Sequence, residues 1–243
     1  MIRMIKTVGV IIGYAALATT KIDYMEKHQQ LLSNVSTQDR YASLMSRNWA
    51  RRVLESAGVT VTVTGNNTDN GQPVLFVSNH EGNFDIPVLM YAIDKPFGFV
   101  SKVEVRKIPF LHRWMMLLNC IYLDRSNRRS SLQMIKDGVQ SLQEGHSVMI
   151  FPEGSRSKGS GLQEFKSGSF KLAKSAGVSI VPVAVSGTSK IMEQYNSKRM
   201  VLGHVHVHLF DPISPDIFQQ LPLQEVADMV KSQIEDHLNE QHI

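Results

Sequence analysis

A single cysteine, Cys120, stands in a chain of 243 residues. One thiol cannot close an intramolecular disulfide, and no paired Cys/His spacing of the zinc type is present, so a reducing compartment is expected and a metal is not. The uncharged stretch between Lys6 and Lys21 holds 14 residues, short of the roughly 20 that a membrane-spanning helix needs. Two common catalytic loops are also missing. Gly154 and Gly159 have the first spacing of a Walker A loop, but Ser160 stands where lysine is required. No G-x-S-x-G occurs, which disfavours a serine-hydrolase elbow. There is no internal repeat and no low-complexity linker.

An apolar content of 42% in this length allows one sizeable core. The net charge of +4 is only mildly basic and taken alone fits nucleic acid, anionic lipid or acidic small molecules equally well. Its location says more. Residues 1–57 carry eight Lys/Arg against four acids, which is the whole excess. The stretch TVGVIIGYAALATT continues into KIDYMEKHQQ without a small-residue cleavage motif, so a retained helix that contacts one leaflet is expected rather than a cleaved signal or a span. A second helix, TQDRYASLMSRNWARRVLESAG, has Thr37 as its N-cap and Gly58 as its stop. Tyr41, Leu44, Trp49, Val53 and Leu54 form its apolar face, and Arg47, Arg51 and Arg52 lie elsewhere. The pair reads as a membrane-contacting hairpin over 1–57, against the plainer alternatives of a buried core helix and a solvated arginine face.

From Val59 the pattern becomes short β-rich runs (VTVTVTG, VLFVSN, FGFVS, CIYLD, SVMIF, SIVPVAVSG, VHVHLF) separated by helical windows, with an amphipathic helix at the end. Such alternation predicts an α/β fold over 58–243, a mostly parallel central sheet flanked by helices.

Two segments can carry chemistry. SNHEGNFDIP follows the strand VLFVS and places His80 and Asp85 five residues apart, about 140° around a regular helix. They can meet only if the chain turns, and Gly82 and Asn83 supply turn residues; Asp85 is suited to cap the next helix and Pro87 to its first turn. A carboxylate on one imidazole nitrogen fixes the tautomer and makes the other a base. The second segment, FPEGSRSKGSGLQEFKSG, opens a strand into a Gly/Ser turn bearing Arg156, a form suited to phosphate because the backbone approaches closely and guanidinium binds two oxygens. Lys102 and Arg125 follow two further strands and are placed at the same sheet edge.

These segments resemble the blocks of the glycerolipid acyltransferase family. NHEGNFD is similar to its Asn-His-x4-Asp block, FPEGSRS to its Phe-Pro-Glu-Gly-Thr-Arg-Ser block, YLDR to its second block and IVPVAVSGT to its fourth, in family order across residues 78–188. The resemblance is greatest to bacterial members that acylate 1-acylglycerol 3-phosphate. It implies transfer of a fatty acyl group from acyl-CoA or acyl carrier protein to the free sn-2 hydroxyl of that acceptor, giving phosphatidic acid with no cofactor. By the same resemblance His80 is the base and Asp85 its orienting partner. Arg125, Glu153 and Arg156, with Lys102 as a weaker candidate, hold the glycerol phosphate. Pro182 shapes the acyl or donor site, and Asn79, Gly154 and Ser155 support the motifs. The implied partners are lysophosphatidic acid, the thioester donor and an anionic membrane surface, with no nucleic acid, at the cytoplasmic face of the cell membrane. Two residues depart from the family pattern: Ser155 replaces threonine, and His112 stands where glycine often follows the Pro-Phe pair of the second block. Other readings are acylation of glycerol 3-phosphate or another lysophospholipid, a thioesterase in which His80 activates water, and a noncatalytic lipid- or CoA-binding module.

Three further features invite function and are read as structure. HVHVH sets His204, His206 and His208 on one strand face, without an adjacent carboxylate or cysteine that would favour a metal. Cys120 sits in the apolar LNCIYL and reads as core. Met115 and Met116 read as packing, with lining of an acyl groove as the alternative.

Overall fold

A computed structural model describes residues 2–27, 35–67, 70–124, 126–195 and 199–240. Two helices, α1 (Ile2–Lys27) and α2 (Val35–Ala57), lead into β1 (Val59–Gly65) and β2 (Val74–Ser78). There follow α3 (Asp85–Ala92), β3 (Gly98–Lys102), α4 (Pro109–Leu117), β4 (Ile121–Leu123), α5 (Arg128–Gln143) and β5 (Val148–Ile150). The chain ends with α6 (Lys171–Ala176), β6 (Ser179–Ser186), β7 (Gly203–Leu209), α7 (Pro215–Phe218) and α8 (Leu223–Glu240). All seven expected strands join one sheet in the order β1-β7-β6-β2-β5-β3-β4. Every neighbouring pair is parallel except β6 with β7, so the expected mostly parallel α/β sheet is what forms.

The strand sequences explain their places. VLFVS is apolar up to its last residue, Ser78, and fully buried at the centre of the sheet, as a parallel strand covered on both faces must be. Alternate side chains serve two cores: Val74 and Phe76 with Val183 and Val205 pack under α1–α4, and Leu75 and Val77 with Ile180 pack under α5, α6 and α8. Cys120 is buried in the first core, accepts the Phe99 N–H on its sulfur, and has its thiol pushed up to about 12 by burial.

The amino-terminal helices are joined to the body by specific contacts. Trp114 of α4 donates its indole N–H to Ser46 of α2 at 3.0 Å, and its ring packs against Tyr14 of α1 and Trp49 of α2. Helix α2 differs from the expectation in two ways. It begins at Val35, so Thr37 lies inside it rather than at its cap. Leu44 is 61% exposed, and the buried stripe is Ala42, Met45, Ala50, Val53 and Leu54; both stripes satisfy helical spacing, and the tertiary partners choose between them. Gly58, with φ 68°, ends the helix in the left-handed conformation as expected. The α2 arginines have protein partners: Arg47 pairs with Asp94, Arg51 with Glu55, and Arg52 lies over the Tyr14 ring. The outward face of α1 instead exposes Ile2, Ile5, Val8 and Ile12, with Lys6 among them. Among the described residues no helix is long and apolar enough to cross a membrane.

Because β2, β3, β4, β5 and β6 run the same way, their carboxyl ends lie along one edge, the position at which open α/β sheets bind ligands.

Candidate active site

His80 leaves that edge two residues beyond the end of β2. Asn79 before it fixes the backbone: its amide donates to the Val185 carbonyl and accepts the Val185 N–H, both at 2.8 Å, tying β2 to β6. The His80 N–H donates to Glu153 Oε1 at 2.6 Å, and Glu153 Oε2 accepts the Gln163 N–H at 3.2 Å. Burial raises the Glu153 carboxyl above its ordinary range, while these two amides pull it back down. Glu153 was placed by resemblance among the phosphate ligands; its oxygens face main-chain donors, so it holds the His80 backbone instead. A carboxylate beside a phosphate would in any case repel it.

The chain then turns as Gly82 and Asn83 suggested. Asp85 is fully buried, and its Oδ2 sits 2.5 Å from His80 Nδ1 and accepts the Gly82 N–H at 3.0 Å. Asp85 is not a helix cap. Phe84 occupies that position without a side-chain bond, and the carboxylate turns back onto the imidazole. The His80 ring stacks on Phe151 with centroids 4.1 Å apart. Nδ1 is thereby committed to Asp85, and Nε2 is the nitrogen left to act on a substrate.

Arg156 reaches the same place from the loop after β5. Main-chain bonds from Ser157 N to His80 O and from Lys158 N to Glu81 O, at 2.7 and 3.0 Å, pair this loop with the His80 loop. The Arg156 guanidinium donates to Asn83 Oδ1 and lies 3.7 Å from Glu193 Oε1. It is about one-third exposed, and its further N–H groups are open to an anion. Gly154 turns with φ 72°, and a Cβ there would fall 2.5 Å from Lys166 Nζ, so glycine is what lets the lysine head lie across this loop. Ser155 is exposed in the same turn. Lys102 is exposed at the end of β3, on the shared edge. Arg125 lies outside the described residues. Pro182 is buried inside β6 opposite Val77, and it meets the site through the sheet rather than as a cleft wall.

Sequence reasoning missed three supports. Glu81 Oε2 accepts the Gly187 and Ser189 N–H groups at 3.0 and 3.2 Å, and burial raises its carboxyl above the usual range. The buried Thr188 hydroxyl donates to Asp85 Oδ1. Glu193 accepts the Asn83 N–H at 2.8 Å. Thr188 does fall within the fourth block, but Glu193 has no local signal. His112, the departure from the family pattern, is partnered: its Nδ1 meets the Tyr122 hydroxyl at 2.9 Å, with Arg106 over the Tyr122 ring. The histidines of β7 line one face as expected, His204 touching Thr60 and Thr62, and His208 touching Thr64 and stacking on His237. Among the described residues no cluster of three or more His, Cys, Asp or Glu is arranged to hold a metal ion.

A buried carboxylate bracing an imidazole, with a guanidinium on the adjoining loop at the carboxyl edge of a mostly parallel sheet, is an arrangement suited to general-base chemistry in an α/β enzyme. The chain belongs to the acyltransferase family, whose model, described as Acyltransferase, matches residues 60–186. A probable 1-acyl-sn-glycerol-3-phosphate acyltransferase of Mycoplasma pneumoniae is 32% identical over 73% of this chain and 70% of its own length. The chloroplastic 1-acyl-sn-glycerol-3-phosphate acyltransferase LPAT1 of Arabidopsis thaliana is 37% identical over 58% of this chain, a match that spans only 39% of that longer protein. The crystal structure of the 1-acyl-sn-glycerophosphate (LPA) acyltransferase PlsC from Thermotoga maritima shares the fold, with a TM-score of 0.78 at 23% identity over 99% of this chain and 98% of that one.

Proposed function

We propose that this protein transfers an acyl group from a thioester, acyl-CoA or acyl carrier protein, to the sn-2 hydroxyl of 1-acylglycerol 3-phosphate, forming phosphatidic acid. The observation that carries the reading is the 2.5 Å contact between His80 Nδ1 and Asp85 Oδ2, which reserves Nε2 for the acceptor. Nε2 takes the hydroxyl proton as the acceptor oxygen bonds to the thioester carbonyl carbon. Collapse of the tetrahedral adduct breaks the C–S bond, and the imidazolium returns the proton to the departing thiolate. Asp85 stabilises the imidazolium in between. Arg156, with Lys102 on the same edge and Arg125 by the family resemblance, holds the acceptor phosphate so that its hydroxyl meets Nε2, turning an encounter into a positioned reaction. The names of the matched relatives support this acceptor.

Lysophosphatidic acid resides in a bilayer, and the exposed Ile2, Ile5, Val8 and Ile12 stripe on α1 suits the interface of the cytoplasmic leaflet. The apolar stripe, rather than the paired arginines of α2, supplies that contact.

The test supplies purified protein with vesicles containing lysophosphatidic acid and a labelled long-chain acyl thioester. Labelled phosphatidic acid is expected, and His80→Ala should abolish it without unfolding the protein. Transfer by that variant at the native rate overturns the reading, and label recovered only as free acid points to thioester hydrolysis.

A further inference from the structure

Asp85 is fully buried and meets no cation other than the imidazole among its described contacts. A carboxylate withdrawn from water stays ionised only if donors replace its hydration. Three neutral or aromatic donors do so: His80 Nδ1 and the Gly82 N–H on Oδ2, and the Thr188 hydroxyl on Oδ1. Oδ1 thus depends on one side chain from the segment after β6, more than a hundred residues away in sequence.

We propose that Thr188 is a positioning residue of this site, whose hydroxyl holds Oδ1 of Asp85 so that Oδ2 faces His80. A hydroxyl has one proton to give. The Thr188 oxygen also lies 3.3 Å from Glu81 Oε2, a longer contact than the one to Asp85, so the proton goes to Asp85. Glu81 has a different task. Its Oε2 takes the Gly187 and Ser189 amides on either side of Thr188, which clamps the backbone and sets where the hydroxyl sits. The clamp closes on the His80 loop itself, because Glu81 adjoins His80. Rotation of the carboxylate about its Cβ–Cγ bond would break the Oδ1 bond, so Thr188 also fixes the plane in which the imidazole proton is received.

The role has a pH signature. The hydroxyl stabilises a lone carboxylate more than one already neutralised by imidazolium. Its removal therefore favours the imidazolium form, and the acid limb of kcat/KM, which reports His80 losing its proton, moves to higher pH.

This inference rests on the proposed transfer reaction, and the experiment separates the two. Thr188→Val keeps the shape and removes the donor; Thr188→Ser keeps the donor. The expected result for Thr188→Val is a fall in kcat of about ten- to a hundredfold, an unchanged KM for lysophosphatidic acid and an acid limb displaced upward, with Thr188→Ser close to the native enzyme. A native kcat and acid limb in Thr188→Val, or equal impairment in both variants, overturns the role. Titration of His80 by NMR of labelled imidazole reads the same shift without substrate. If the native enzyme makes no phosphatidic acid, the function fails while this titration still decides the role of Thr188: a displaced imidazole titration in Thr188→Val upholds it, and an unchanged one removes it.

Discussion

Glu193 and Arg156 face each other at 3.7 Å across the mouth of the site, the carboxylate almost wholly buried and the guanidinium partly open to solvent. The same Glu193 oxygen receives the Asn83 N–H, and a Cβ on Gly82 would fall 2.7 Å from its other oxygen. One acid thus braces both the His80 loop and the Arg156 guanidinium. Replacing Arg156 by Ala should raise KM for the acceptor by about ten- to a hundredfold, the loss of a charge-assisted contact of about 1.5–3 kcal/mol. Glu193→Gln keeps the Asn83 acceptor but loses the charge that orients Arg156, so KM should rise only a few-fold with kcat within about twofold. Steady-state kinetics in acceptor measures both, and an unaltered KM in Arg156→Ala removes that residue from phosphate binding.

Asp85→Asn retains the size of the carboxyl and reverses its hydrogen-bonding sense towards His80. An amide cannot hold Nδ1–H and the Thr188 hydroxyl in the same way, so the wrong tautomer is favoured. The kcat is expected to drop about 10³- to 10⁴-fold, the scale seen when a carboxylate behind a catalytic histidine becomes an amide. Circular dichroism distinguishes this from unfolding, and activity near the native level would dismiss the carboxylate as partner.

A second histidine pair sits far from the chemistry. His146 Nδ1 lies 2.7 Å from Asp39 Oδ2 of α2, and Asn119 donates to Asp39 Oδ1 at 2.9 Å. The Asp39 bond, opposed by partial burial and assisted by Glu144, raises the His146 titration above its ordinary value. A raised folded-state value means that the contribution is complete below about pH 6.5 and disappears as pH climbs through the folded-state value. His146→Ala should lower Tm by about 2–4 °C at pH 6, the equivalent of about 1 kcal/mol in a chain this size. The gap should narrow at pH 9. Melting curves at the two pH values supply the check, and a gap that widens with pH would show the sign to be wrong.

The α1 stripe is exposed, so polar replacements there should leave the fold alone. Ile5→Asp with Ile12→Asp removes two side chains worth about 1.5–3 kcal/mol each when buried in an apolar phase. Vesicle partition is expected to fall at least tenfold while Tm changes by less than about 2 °C. Retention of full sedimentation with vesicles would assign membrane contact to another surface.

The sheet was legible because each strand carries either its own apolar run or, as in VTVTVTG and VHVHLF, a strict alternation, and VLFVS or SIVPVAVSG needs no distant partner to be recognised as buried strand. The facing of α2 was less legible: Leu44 and Met45 are adjacent apolar residues, and only the positions of Trp114 and Tyr14 decide which turns inward. His80 and Asp85 stood out through turn residues between them and the family blocks. Thr188 and Glu193 did not, since each acts on a loop more than a hundred residues earlier in the chain and no spacing rule connects such positions. Glu153 was misassigned because a motif states that a carboxylate is needed without saying that amides are what it meets.

The reversal of β7, and of β1 beside it, brings the start of β1 to the edge where β2 and β5 end. Gly58 and the amino end of α1, whose Arg3 lies against it, therefore sit on the reactive rim. Ile2 and Ile5 are exposed at that end of α1, and the exposed Ile108 follows β3 in the chain. On the proposed function, those side chains would rest among lipid tails and bring the phosphate and hydroxyl of an acceptor towards Arg156 and His80. Such a substrate would be modified in place, its tail still anchored among its neighbours, and the enzyme would be spared the work of hauling a greasy molecule through water.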